Sequence, residues 1–259
     1  MDFAYTAAGF AVGAIVGLTG VGGGSLMTPL LVLMFGIHPS VAVGTDLLYA
    51  SITKAGGTLA HSLKGSVDWT ITRRLACGSL PASLLTLWGV HRYAPGGIDG
   101  ATSVISVALG VALVLTAIAI VLRHRIQALS RRVMGETPNP GRVRLLTIAT
   151  GIVLGVLVSI SSVGAGALGV TALFFLYPGL PAVRIVGSDI AHAVPLTAVA
   201  GLGHMALGTV DWLLLGSLLV GSLPGIWLGS HVSARVPDRI LRPILASTLV
   251  LVGAKLITH

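Results

Sequence analysis

Across 259 residues, 54% hydrophobic and only 9% charged side chains leave too little polar surface to coat a water-soluble globule, and the mean hydropathy of +0.95 indicates an integral membrane protein. The formal charge of +8 does not mark a nucleic-acid partner, because six arginines (Arg123, Arg125, Arg131, Arg132, Arg142, Arg144) crowd into one stretch between apolar segments, where the positive-inside rule accounts for them. A lone cysteine, Cys77, excludes an intramolecular disulfide and a two-cysteine redox relay, and reads as a small packing residue.

In chain order, apolar helical segments are predicted at about 4–20, 25–36, 41–62, 70–90 and 100–122, then at 145–160, 166–178, 182–206, 212–231 and 240–257. Asp2, with no Lys or Arg before the first of them, gives no signal-peptide pattern. The second segment of each half, Ser25 to Phe35 and Gly166 to Tyr177, is short against the ~20 residues of a full crossing. Just before them stand Gly22-Gly23-Gly24 and Ser161-Ser162-Val163-Gly164, runs that break a helix. Each pair therefore reads as a helical hairpin with its bend inside the protein, since irregular backbone at membrane depth survives only where protein or a wet cavity satisfies it.

The two halves are copies. Gly65-Ser66-Val67-Asp68-Trp69 recurs 143 residues later as Gly208-Thr209-Val210-Asp211-Trp212. At that offset Gly44-Thr45-Asp46 meets Gly187-Ser188-Asp189, His61 meets His204, and Gly78-Ser79-Leu80-Pro81 meets Gly221-Ser222-Leu223-Pro224. Upstream the offset is 142, and there Gly13 and Gly17 meet Gly151 and Gly155. The expected fold is an all-α integral membrane protein made of two inverted repeats of about five helical segments, 1–122 and 145–259, joined by an Arg-rich cytoplasmic linker at 123–144. Inversion follows from charge. With the linker inside, Lys64, Arg73 and Arg74 fall inside in the first half, whereas in the second the loop with Arg235, Arg239 and Arg242 does, and equivalent loops have exchanged their positive charge. Both ends of the chain then face outside.

The stretch Val16-Gly17-Leu18-Thr19-Gly20-Val21-Gly22-Gly23-Gly24-Ser25-Leu26-Met27-Thr28-Pro29, followed by Ala42-Val43-Gly44-Thr45-Asp46-Leu47, resembles the sulfite exporter TauE/SafE family of membrane transporters. A degenerate copy of both blocks in the second half strengthens the resemblance, which spans essentially the whole chain. It implies a multi-pass inner-membrane carrier of sulfite, sulfoacetate or related small organosulfur or carboxylate anions, with no tightly bound cofactor. Asp46, and again Asp189, depart from the family's commoner Gly-Thr-Ser, which bears on the substrate: two carboxylates near the site oppose a dianion unless protonated or paired.

An anion crossing hydrocarbon must exchange its water for donors, and unpaired N–H groups at helix starts supply them. Gly22, Gly23, Gly24 and Ser25 open one short helix, and Gly164, Ala165 and Gly166 lead into the other; the same glycines could serve only close helix packing. Ser161 and Ser162 are candidate hydroxyl donors, or bond carbonyls one turn earlier. Asp46 and Asp189 lie well inside apolar segments, as proton carriers or as carboxylates held by their own helix starts. Lys54, two turns beyond Asp46, binds the anion, neutralises a carboxylate or snorkels to an interface; position 197, its equivalent, is threonine. His61 and His204 are candidates for proton transfer or are packed residues at segment ends. Asp68 and Asp211 read as caps and Trp69 and Trp212 as interface anchors.

The expected function is secondary transport of a small anion by alternating access, with proton coupling through these carboxylates. A passive anion channel and a membrane subunit of a larger transport complex are the alternatives. No G-x-x-x-x-G-K-[ST] motif, nucleophile with its base, or metal-ligand spacing points to an enzyme. The expected partners are a small anionic substrate, the lipid bilayer and a second copy in a homodimer.

Overall fold

A computed structural model describes residues 3–19, 24–93, 98–134, 139–232, 246–247, 249–251 and 253–256, and every element among them is an α-helix. These are α1 (Phe3–Thr19), α2 (Gly24–Phe35), α3 (Pro39–Leu63), α4 (Trp69–Tyr93), α5 (Ile98–Met134), α6 (Pro140–Ser161), α7 (Ala167–Leu176), α8 (Ala182–Ala206) and α9 (Trp212–Val232), with further helical residues within 246–256. An all-helical chain is what an apolar sequence requires, because a helix satisfies its backbone groups internally where no water can.

Helix boundaries follow local chemistry in both halves. Asp68 caps α4 by accepting from the amides of Thr70 and Ile71 at 3.0 and 3.3 Å, and Asp211 caps α9 by accepting from those of Leu213 and Leu214, both at 2.9 Å. Gly65 and Gly208 end the preceding turns at φ +63° and +75°, a left-handed backbone that glycine adopts without a Cβ penalty. Trp69 and Trp212 stand half or more exposed beside these caps.

Four helices among the described residues contain stretches long and apolar enough to cross a membrane: Val104–Leu122, Pro140–Ser161, Ala182–Ala206 and Trp212–Gly229. Helices α3 and α4 have 25 residues each, ample length at 1.5 Å per residue, but carry Asp46, Lys54, Arg73 and Arg74. Helix α5 does not stop with its apolar run. It continues through Arg123–Arg132 to Met134, so the first part of the expected linker is helical, and α6 starts at Pro140, where Asn139 accepts from the amides of Gly141 and Arg142.

Packing is reciprocal between the halves. Helix α1 lies on α9 with Gly9 against Leu218 and Gly13 against Ser222; α6 lies on α4 with Gly151 against Leu75 and Gly155 against Ser79, the same contacts displaced by the repeat offsets. At each of these glycines a Cβ would strike the facing backbone, so only glycine permits the approach. The loops reciprocate too: the Asp68 amide donates to Ser188 Oγ at 2.8 Å, and the Asp211 amide to Thr45 Oγ1 at 3.1 Å. At the centre α3 meets α8, with Leu48 near Gly201, Ser51 near Val194 and Gly57 near Ile190. Residue numbers rise on one helix as they fall on the other, so these two helices run antiparallel.

Inside, Val43, Leu47, Leu154, Val158, Leu196 and Ala200 form one apolar cluster around the α3–α8 contact. Outward, α4 presents Leu84, Leu85 and Trp88, and α9 presents Leu213, Val220 and Trp227. Cys77 is on that exposed face of α4 and not in a packing interface, a correction to its sequence reading. The helix rotation, fixed by Leu75 and Ser79 against α6, turns position 77 outward.

Candidate functional site

The α3–α8 crossing concentrates charge where the surroundings are apolar. Asp46 and Asp189 are fully buried and Lys54 is 7% exposed, while the flanking turns of both helices supply Ala42, Val43, Leu47, Ala191 and Ala193. Spacings of three and eight residues place Tyr49 and Lys54 on the face of α3 that carries Asp46; three residues place His192 beside Asp189 on α8. Burial of such groups is expensive, so their contacts decide what they can do.

Asp46 is held through one oxygen, its Oδ1 having no hydrogen-bond partner among the described residues. Its Oδ2 accepts from Thr28 Oγ1 of α2 at 2.5 Å and from Ser162 Oγ at 2.9 Å. Asp189 has neither: among the described residues both of its oxygens lack a hydrogen-bond partner, and the side chain lies against the backbone of Gly169 in α7. The Lys54 ammonium donates to the Ala165 carbonyl at 2.9 Å and feels the fields of both carboxylates. Its equivalent, Thr197, bonds the Ala193 carbonyl of its own helix at 2.8 Å, so the cation belongs to one half only. His192 Nε2 pairs with Ser79 Oγ at 2.7 Å while its Nδ1 has no partner among the described residues, and Tyr49, the equivalent of His192, stands beside Ser222, the equivalent of Ser79.

The α6–α7 bend packs against Asp46 and Lys54. Ser161, Ser162, Val163, Gly164, Ala165 and Gly166 are all buried, with Ser162 at φ +59°, Gly164 at +123° and Gly166 at +131°. Ser162 therefore sits where L-residues are strained, which is offset by its bond to Asp46. Ser161 turns back to the Leu157 carbonyl at 2.7 Å and also holds the Val163 amide at 3.2 Å, pinning the bend. Gly166 caps α7 without a side-chain bond to the helix start. Ala165 contributes a carbonyl to Lys54, an acceptor where the sequence reading had looked for an N–H donor. In the first hairpin Gly22 and Gly23 lie outside the described residues; Gly24 and Ser25 begin α2.

His61 and His204 hold the turns that follow α3 and α8. Each Nδ1 pairs at 2.9 Å with a hydroxyl, Ser66 or Thr209, that donates back to the same histidine's carbonyl; His204 Nε2 also pairs with the Ser159 carbonyl at 2.8 Å. Because α3 and α8 run antiparallel, His61 arrives beside Gly187, two residues before Asp189, and His204 beside Gly44, two residues before Asp46. Each histidine thus packs against the first turns of the other half's charged helix, a juxtaposition the sequence does not display. Thr28, Tyr49, Ser79, His192 and Ser222 join the site without having been singled out for it. For four of them the available signal was recurrence at the 143-residue offset as polar residues inside apolar helices: Tyr49 with His192, Ser79 with Ser222.

The family model for the sulfite exporter TauE/SafE matches residues 5–256, and the chain belongs to that family. The probable membrane transporter protein YjnA of Bacillus subtilis is 41% identical over 96% of this chain and 97% of its own length. YunE of the same organism is 25% identical over 96% and 94%, and the probable membrane transporter protein MJ0441 of Methanocaldococcus jannaschii 27% over 95% and 91%. No solved structure matches the chain. Family and relatives identify a membrane transporter and not an enzyme.

Proposed function

We propose that this member of the TauE/SafE family is a secondary carrier of small anions, sulfite, sulfoacetate or a related oxyanion, working by alternating access in a cell membrane with one proton-accepting carboxylate in its cycle. The observation that carries the reading is one buried ammonium, Lys54, on the same α3–α8 crossing as two buried carboxylates at repeat-equivalent positions, one of them without a hydrogen-bond partner among the described residues. A lysine held against a carbonyl at the helical bend offers an anion a charge that water does not screen. The same ammonium balances carboxylate while the site is empty. An arriving anion competes with Asp189 for that charge, and protonation of Asp189 removes the competition, so anion and proton move together.

Alternating access needs two halves that can exchange roles. What supports an inverted pair is the antiparallel meeting of equivalent helices α3 and α8, in which Ser51 Oγ reaches the carbonyl of Val194, its own repeat equivalent, at 3.4 Å. A pseudo-two-fold axis through that contact lies across the helices. The glycine-paired α1–α9 and α4–α6 contacts then form two like units on either side of the buried charges.

The test is reconstitution in vesicles with sulfite, sulfoacetate, sulfate and small carboxylates under an imposed proton gradient. Saturable uptake that follows the gradient, with exchange of labelled for unlabelled substrate, is the expected result. Flux that neither saturates nor exchanges would identify a channel and end the carrier reading.

A further inference from the structure

Away from the charges, α5, α6 and α7 enclose an open slot of about 620 Å³ walled by Leu115, Ile118, Val153, Leu157, Leu168 and Phe175 among others. Its two hydroxyls are spoken for: Thr150 donates to the Leu146 carbonyl at 2.8 Å and Thr171 to the Ala167 carbonyl at 2.7 Å. The slot has nothing to offer a polar solute, which separates it from the site around Lys54, and suits a hydrocarbon chain. One end has a different character. The lining residues Ile126 and Leu146 lie there, beside the exposed Arg125 on α5 and one turn along α6 from the exposed Arg142. Over 123–144 the sequence has six arginines against one acidic residue, Glu136. Ser130 Oγ closes the same end by donating to the Phe175 carbonyl at 2.5 Å, tying α5 to α7.

We infer that this slot is a binding site for one acyl chain of an anionic phospholipid whose phosphate rests between Arg125 and Arg142. The charge pattern selects the ligand. A zwitterionic lipid offers the same chain but no net negative charge, and each basic residue near a membrane surface is worth roughly 1 kcal/mol toward an anionic headgroup, about fivefold in affinity. The slot also has a place in the working of the molecule, since its inner wall includes Leu154 and Leu168, which pack into the central cluster around the α3–α8 contact. A lipid seated here braces the α6–α7 hairpin from behind. The inference depends on the membrane setting alone and not on the nature of the transported anion.

The experiment is thermal unfolding of the purified full chain in detergent, titrated with phosphatidylglycerol or with phosphatidylcholine of identical acyl chains. Phosphatidylglycerol is expected to raise Tm by several degrees beyond phosphatidylcholine. The double variant Arg125→Gln, Arg142→Gln should lose that difference while unfolding as cooperatively as the parent. Ala149→Trp, a change at an exposed lining position that fills the slot from its rim, should lose it with every arginine retained. Equal shifts from the two lipids, or a phosphatidylglycerol effect that survives Ala149→Trp, would overturn the assignment. So would an equal shift from inorganic phosphate, which would leave a headgroup site without a chain. A dimer that Ala149→Trp dissociates in the absence of lipid would give the slot to a second copy and overturn it as well.

Discussion

Asp46 and Asp189 occupy equivalent positions in two copies of one helix, yet Asp46 accepts two hydroxyl bonds and Asp189 accepts none among the described residues. The backbone frame around them is closely shared, down to the glycine contacts and the crossed loop bonds. The difference is therefore made by a few side chains. Thr28 and Ser162 converge on Asp46, while at Asp189 the neighbouring backbone of Gly169 brings close packing and no donor. A duplicated architecture has diverged into one carboxylate held by two hydroxyls and one with no hydrogen-bond partner among the described residues.

The largest effect should come from Lys54, the buried cation of the same crossing. Lys54→Met is expected to abolish saturable anion uptake in vesicles while the protein still inserts and purifies, because methionine keeps the length and loses the charge; near-parental uptake would remove Lys54 from the site. Next, Asp189→Asn should leave the fold intact and free transport from the proton gradient, whereas Asp46→Asn should leave gradient dependence in place. The reverse assignment would show that the hydrogen-bonded carboxylate is the one that cycles. Stability should separate the pair in the opposite sense: Asp46→Ala strands the Thr28 and Ser162 hydroxyls and should cost about 1–3 kcal/mol. Asp189→Leu, which replaces an unpartnered buried group with an apolar one, is expected to be neutral or stabilising in the same unfolding assay.

Two smaller tests sharpen the contrast. Ser162→Ala loses the Asp46 bond and keeps an L-residue at φ +59°, while Ser162→Gly loses the bond but relieves the backbone, so glycine should be the milder change by about 1 kcal/mol in unfolding measurements. His204→Ala removes a buried ring with two partners and should destabilise more than His61→Ala, whose ring is partly exposed and pairs with Ser66. Equal losses would mean that the Ser159 contact adds nothing.

Much of this frame is legible in the chain. The 143-residue echo predicts equivalent helices, and α3 and α8 begin and end at residues related by that offset. The short α2 and α7 follow from the helix-breaking runs before them, and the buried second bend follows from the impossibility of exposing irregular backbone to lipid. Asp46, Asp189 and Lys54 stand out by residue type, because an ionisable group inside an apolar run is rare without a role.

What the chain cannot display is who meets whom. Nothing along the sequence says that Ser162 would reach Asp46 across 116 residues, that Ala165 would turn its carbonyl to Lys54, or that His61 would come to rest beside the start of α8. Nor does it reveal that Cys77 faces outward or that α5 runs on through its arginines. Composition and periodicity determined the membrane setting, the duplication and the identity of the buried charges, since these depend on local transfer energies and residue order. The contact of α3 with α8, the rotation of each helix and the unequal surroundings of two equivalent carboxylates were decided by tertiary packing, because those depend on which small residues let distant backbones touch.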